Sequence, residues 1–167
     1  SHYFPSSSWA KVANKRVPEC QTFGSIVLNN SVGGLNPYAV DAAARDGAKV
    51  VWFPTVDTVA AIKKTEHIEE GGRRPFWLDV LLSIQADGMT LQPVRLLDDD
   101  GRLVPEAIEV LDVIARYDMV LATGHISVRE AKELIKVAKE RKVERIVCTH
   151  VASQLCFWEI EEQIEFV

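Results

Sequence analysis

Two histidines stand at matching places in the chain. His125 follows the apolar run Met119-Val120-Leu121-Ala122-Thr123 and one glycine; His150 follows Arg145-Ile146-Val147-Cys148-Thr149 directly. Both sit in the order apolar strand, Thr, an optional Gly, His, then helix, and they are 25 residues apart, the length of one βα unit. In a parallel sheet this spacing sets both at the C-terminal ends of neighbouring strands, where α/β proteins assemble their sites. Imidazoles there suit a divalent metal, because one ring nitrogen can bind the ion while the other is held by an acceptor. The competing reading is two polar strand ends that make ordinary backbone hydrogen bonds. The repetition on consecutive strands is what sets metal chemistry beside it.

Other candidates are weaker. His2, before Tyr3-Phe4-Pro5, reads either as the end of a strand that began earlier or as a loose terminus. His67 lies among Glu66, Glu69 and Glu70 and reads as solvated. Asn29, Asn30 and Asp57 also follow strands and could supply oxygen ligands or orient a substrate, although such residues more often cap and turn. Asp98-Asp99-Asp100-Gly101 looks like a hard-cation cluster but fits a solvated turn better. Gly33-Gly34-Leu35-Asn36 could cradle an anion before a helix, yet it matches neither G-x-G-x-x-G nor the P-loop. Cys148 alternates onto the same face as His150 without making a nucleophile–base pair, and among Ile146 and Val147 it reads as core. Ser6-Ser7-Ser8 lacks the G-x-S-x-G elbow.

The elements that must position these residues follow a recurring pattern of apolar run, turn and amphipathic stretch. Phe23–Asn30 reads as a strand. Asn36 then offers an N-cap and Pro37 fits the first helical position. Apolar residues at 39, 40, 43 and 44 predict a helix over 37–46, closed by Gly47. Lys49–Val56 is the next strand, so this unit favours parallel pairing. Pro105–Arg116 carries helical periodicity. Between the strands over 119–124 and 145–150, Ser127-Val128-Arg129-Glu130 is a capping box that opens a helix to about Arg141. Thr90–Leu97 reads as a strand before a tight D-G turn. The stretch 65–88 shows little pattern, and Phe157–Val167 suggests a helix with a Trp/Ile/Phe face. Four or five strands alternating with helices mean α/β with a mainly parallel sheet. A doubly wound sheet fits 167 residues, whereas a complete (β/α)₈ barrel needs ~250 and ~200 at least.

Composition narrows the function classes. Nineteen Lys and Arg against 24 Asp and Glu leave a net charge of −5. That balance disfavours nucleic acid or an anionic membrane surface as partner, since both need clustered cations. No apolar run approaches the ~18 residues of a membrane span. Three scattered cysteines (Cys20, Cys148, Cys156) make no disulfide framework and suit a reducing cytoplasm.

Residues Phe23–Pro54 (FGSIVLNNSVGGLNPYAVDAAARDGAKVVWFP), the VLATGHIS stretch beginning at Val120 and the RIVCTH stretch ending at His150, with SHYFPSSSW at 1–9, resemble a group of amidohydrolase-like cytosolic proteins of the metal-dependent hydrolase superfamily. The resemblance implies a TIM-like (β/α)₈ barrel with a histidine-rich metal centre, of which residues 1–167 would be a single-domain portion. It makes His125 and His150 metal ligands from later strands and His2 a further ligand candidate. The superfamily's His-x-His pair and its late Asp/Glu base have no counterpart here, and VASQLCFWEIEEQ after His150 lacks the expected proline. The implied cofactor is a divalent metal, in the first instance zinc, that activates water against an amide, ester or phosphoester of a small-molecule substrate. The alternative is a non-catalytic α/β binding or scaffold domain. Part of a barrel would leave open sheet edges, so further sequence or pairing with another copy of the chain is expected to cover them.

Overall fold

The computed structural model of the chain describes residues 3–65, 76–90, 92–152 and 158–166. Four of the apolar runs become short strands, β1 (Gly24–Val27), β2 (Ala48–Trp52), β3 (Val120–Ala122) and β4 (Arg145–Val147). All three pairings are parallel and the strands lie in chain order, β1-β2-β3-β4. Val27, Trp52, Ala122 and Val147 face one another in register across the sheet. The strands therefore end level, and whatever follows them emerges at one edge.

The helices are α1 (Ser7–Arg16), α2 (Pro37–Arg45), α3 (Val59–Thr65), α4 (Phe76–Ala86), α5 (Pro105–Arg116), α6 (Val128–Glu140) and the five-residue α7 (Ile160–Ile164). Where a cap was legible it forms. Asn36 Oδ1 accepts from the Ala39 N–H at 3.1 Å, ahead of Pro37. Ser127 and Glu130 make the reciprocal capping box, with the Ser127 N–H donating to Glu130 at 2.8 Å. In α5, Ala107, Val110, Leu111 and Ile114 are fully buried at i, i+3, i+4 and i+7 spacing, which is the core-facing stripe of an amphipathic helix. These residues form one layer with Val40 and Ala43 of α2, Leu134 and Ala138 of α6, and Ile26, Val51 and Leu121 of the sheet. Helices α2, α5 and α6 thus cover the same sheet face. Each Val, Leu or Ile side chain sealed in that layer contributes about 1.5–3 kcal/mol of hydrophobic stabilisation.

The opposite face is apolar as well, with Val27 and Ala122 buried and Val50, Trp52 and Val120 half-buried. At the β1 edge the backbone of Ser25 is satisfied by Ser6, whose N–H donates to the Ser25 carbonyl and whose Oγ accepts the Ser25 N–H, both at 2.9 Å. A Cβ at Gly24 would lie 2.5 Å from Ser7 Cα, so glycine lets α1 close on this edge.

Three expectations change. The strand expected at 90–97 is absent among the described residues; a single antiparallel bridge joins Leu97 to Leu103. The segment instead runs as an extended loop that buries Leu96 and ties Val94 N–H to the Asp57 carbonyl at 2.8 Å. The unpatterned stretch 65–88 contains α4, α3 precedes it after β2, and α1 adds a helix before the first strand. Helix α4 packs Trp77, Leu78 and Leu81 on Val56 and Tyr3 in a small cluster separate from the main layer. The tail helix shortens to α7, beside which Trp158 packs on Phe166 with ring centres 4.9 Å apart. Among the described residues no helix is long and apolar enough to cross a membrane.

Candidate functional site

Eight polar residues are buried among the described ones, and all but Ser7 lie just beyond a strand: Asn29, Thr55, Asp57, Thr58, Thr123, His125 and Thr149. Buried polar groups carry a desolvation cost unless hydrogen-bonded. Their concentration at one end of the sheet makes that end the candidate functional face.

Neighbouring strand ends are stitched in pairs. After β1 and β2, Asn29 Nδ2 donates to Thr55 Oγ1 at 2.9 Å, and the Thr55 N–H donates back to Asn29 Oδ1 at 2.8 Å. After β3 and β4, the Thr149 N–H donates to Thr123 Oγ1, and the Thr149 hydroxyl donates to the Gly124 carbonyl, both at 3.0 Å. Between β2 and β3, the His125 N–H donates to the Pro54 carbonyl at 3.0 Å. Gly124 permits that approach. Its φ is +68°, and a Cβ would stand 2.3 Å from the Phe53 carbonyl oxygen.

This framework brings His125 and His150 together. Their ring centres are 5.1 Å apart, with planes inclined at 59°. Two imidazoles sharing one tetrahedral zinc, each at ~2.0–2.1 Å, have ring centres roughly 5 Å apart, so the observed separation fits a shared ion. His125 is 4% exposed, whereas His150 is exposed. The His150 backbone is left-handed, with φ +57°, a conformation that costs a non-glycine residue about 1–3 kcal/mol and clusters at functional sites. It also ends the strand's alternation. The ring of His150 stacks over Trp52 at 6.0 Å and 22°, while Cys148 packs against the main layer, so the two do not share a face as alternation alone would require. Burial pushes the Cys148 thiol above its ordinary pKa, as befits a core cysteine rather than a nucleophile.

The profile of the family described as "Family of unknown function (DUF6282)" matches residues 1–167. The chain belongs to that family. No curated protein and no solved structure is significantly similar to it.

Within this DUF6282 chain the remaining candidates separate. His2, His67 and Cys156 lie outside the described residues. Asn29 is committed to Thr55, and Asn30 Nδ2 donates to the Gln92 carbonyl at 3.0 Å. These asparagines stitch the site's floor. Asp98 Oδ1 accepts from the N–H groups of Asp100 and Arg102 at 3.0 and 2.9 Å, a side-chain-capped turn as the solvated reading required. Asp57 is different: it is 4% exposed, and its Oδ2 accepts the Asn30 N–H at 2.7 Å. Burial pushes its carboxyl above the ordinary carboxylate range, against the opposing hydrogen bonds from Asn30. Beside it, Tyr3 donates its hydroxyl to the Trp77 carbonyl at 2.7 Å. Among the described residues no three His, Cys, Asp or Glu come together as a metal-holding group. Trp52, Thr123 and Thr149 were not legible as site residues. The one signal for the threonines was their shared place immediately ahead of Gly-His and His.

Proposed function

We propose that the chain carries part of a metal-dependent hydrolase of the amidohydrolase-like, (β/α)₈ type, with His125 and His150 as ligands of one divalent ion. The single observation that carries this reading is the pair of imidazoles 5.1 Å apart on adjacent parallel strand ends. The donor set suits zinc or a similar borderline ion, which binds neutral imidazole. An ion held there would supply Lewis acidity toward a carbonyl or phosphoryl oxygen. The chain's own residues do the positioning. The backbone bond to Pro54 fixes His125, the Trp52 stack orients His150, and the Thr123–Thr149 bond locks the two strand ends at one height. His2 is the candidate for a further ligand.

The barrel reading draws support from strand order. A doubly wound sheet reverses its order at a switch point, whereas these four strands follow the chain without reversal, as barrel strands do. The half-buried apolar face bearing Val50, Trp52 and Val120 is the face a barrel would turn to its interior. A small-molecule substrate with an amide, ester or phosphoester bond suits such a centre, and the acidic balance of the chain argues against nucleic acid.

Zinc competition with a chromogenic chelator tests the reading. The wild-type chain is expected to bind near-stoichiometric zinc. His125→Ala and His150→Ala should each weaken binding by more than the 10–100-fold typical of losing an outer-shell partner, with the circular dichroism spectrum unchanged. A wild-type chain that takes up no zinc after supplementation favours the non-catalytic binding or scaffold reading. Unchanged affinity in a folded His125→Ala chain removes that residue from the site.

A further inference from the structure

A groove of about 1100 Å³ runs between α6, β4 and the residues just after α7. Among the described residues β4 pairs with β3 alone, so the groove lies beside the sheet's edge. Four lysines line it, Lys132, Lys136, Lys139 and Lys142, against two carboxylates, Glu144 and Glu165. It is therefore locally cationic in a chain whose net charge is −5. Lys136 pairs with Glu133 at 3.4 Å, and Lys132 pairs with Glu165. Lys139 and Lys142 are exposed, and neither has a carboxylate within ion-pair reach among the described residues. Below the lysines, Ile146, Cys148 and Phe166 are half-buried and leave an apolar floor partly open to water.

The chain itself carries a segment of complementary chemistry. Residues 159–165 hold Glu159, Glu161, Glu162 and Glu165 and no cation. No residue of α7 is buried. The helix is held by its flanks, where the buried Trp158 packs on Phe166 and its carbonyl accepts the Gln163 side-chain amide at 2.8 Å. Ile160 and Ile164 are 69% and 66% exposed. Residues at i and i+4 share one helix face, so α7 turns an apolar pair outward. A five-residue helix is too short to persist on propensity alone, and apolar surface kept outward on it asks for a cover. Glu159 and Glu162 serve the capping box, and Glu165 meets Lys132. The Glu161 carboxylate is exposed and has no partner among the described residues.

We propose that this groove is a self-docking surface. Two copies of the chain pair about a two-fold axis, each laying the Ile160 and Ile164 face of α7 in the other's groove and setting Glu161 against Lys139 and Lys142. Glu165 and Phe166, directly after α7, line the groove, so helix and groove belong to one surface patch. A patch that complements itself closes in a C2 dimer. The isoleucines and the floor residues leave water together, which drives the contact. The charges fix its register and add an attraction that salt weakens. A helix laid beside β4 also covers an open strand edge, which native proteins seldom leave bare. The groove shares no residue with the histidine pair, so the pairing goes beyond the hydrolase reading and does not depend on it.

Sedimentation velocity on the full chain over roughly 1–100 µM spans the dissociation constants of weak, transient pairs. Wild type is expected to pass from monomer to dimer across that range. Ile160→Ser with Ile164→Ser removes two exposed side chains and should abolish the dimer with the circular dichroism spectrum unchanged. Lys139→Glu with Lys142→Glu, and separately Glu161→Lys, should each weaken pairing by about tenfold or more, because like charges then face each other at both contacts. An equimolar mixture of these two charge variants restores opposite charges at both contacts and should dimerise within about threefold of wild type. A wild-type chain that stays monomeric throughout overturns the proposal. If that monomer binds poly-L-glutamate and the Lys139→Glu, Lys142→Glu variant does not, the groove takes a foreign acidic segment instead. A dimer unaffected by these variants, or charge variants that stay monomeric when mixed, overturns it as well. Mass that grows without limit marks a head-to-tail contact and overturns the two-fold arrangement. In wild type, amide exchange must slow with concentration over 139–148 and 159–166, and slowing confined to other segments overturns the proposal.

Discussion

The molecule holds two apolar clusters of unlike construction. The main layer joins three amphipathic helices to one face of the sheet, with Leu111, Ile114 and Leu121 fully buried. The second, at the strand ends, holds Val56, Trp77, Leu78 and Leu81 with Tyr3 against it. Helices α5 and α6 present apolar stripes backed by polar faces, so tertiary burial and helical periodicity agree. Helix α4 is apolar nearly all round, and Phe76, Val80 and Leu82 remain exposed on it. The main layer explains why the fold exists. The small cluster adjoins Asp57 through Val56 and Tyr3, and regions near candidate sites are drawn from the less stable part of a structure.

Truncation in each cluster should separate global from local stability. Leu111→Ala empties a site where Leu111 is 0% exposed and is expected to lower unfolding free energy by about 2–5 kcal/mol, read from the urea midpoint. Trp77→Ala removes a larger side chain from the smaller cluster, where Trp77 is 8% exposed. A global loss of only about 1–2 kcal/mol is expected, with faster amide exchange confined to 76–86 and the turn after β2. If Trp77→Ala proves as damaging as Leu111→Ala and exchange rises throughout, the two clusters form one cooperative unit and the contrast fails.

The same contrast explains what could be read in advance. Helices α2, α5 and α6 carry caps and one-sided periodicity, and their observed ends fall within a residue of expectation: Pro37–Arg45, Pro105–Arg116 and Val128–Glu140. Helix α4 offers no polar face, so periodicity could not reveal it. Helix α1 buries only Ser7 and Ala10 and gives almost no stripe. The strands shrink to three to five residues because their predicted ends are the turns that carry Asn29, Thr55, Thr123 and Thr149. For the site, the histidine pair was legible because it repeats one local context twice. The contact between Trp52 and His150 was not, since it depends on the left-handed backbone at His150, which neither composition nor alternation encodes. The expected strand at 90–97 failed for a related reason. Apolar residues alternate there, but Pro93 removes a donor and Leu96 is buried by a loop rather than by a ladder.

A smaller effect probes how well the main layer is pinned to the site. Ser127 caps α6 two residues after His125, its Oγ accepting the Glu130 N–H at 3.3 Å while Glu130 accepts its N–H. Ser127→Ala should lower stability by about 1 kcal/mol and leave zinc affinity unchanged, because the strand-end bonds of His125 and Thr149 do not involve it. A drop in zinc affinity of tenfold or more would mean that the helix start, rather than the strand end, holds His125 in place.

The smallest effect has the opposite sign and belongs to Asp57 alone. Burial raises the folded-state pKa of Asp57 above its unfolded value, so the folded chain holds the Asp57 proton at pH values where the unfolded chain has released it. By linkage, the stability this residue contributes is fully present below the unfolded carboxylate pKa of ~3.9. It is lost progressively as pH rises toward the raised folded value. Above the acid range the wild-type chain must either keep a proton or bury a charge at Asp57 to fold, and Asp57→Asn relieves both while keeping the Asn30 bond. The variant is therefore expected to equal or exceed wild type in urea midpoint at pH 7, with the advantage shrinking as pH falls through the acid range. Parallel curves for the two proteins across pH 4–7 would show that Asp57 titrates alike in both states. The strand-end cluster would then be wet, and the burial that distinguishes it from the exposed turn at Asp98 would have no consequence for proton binding.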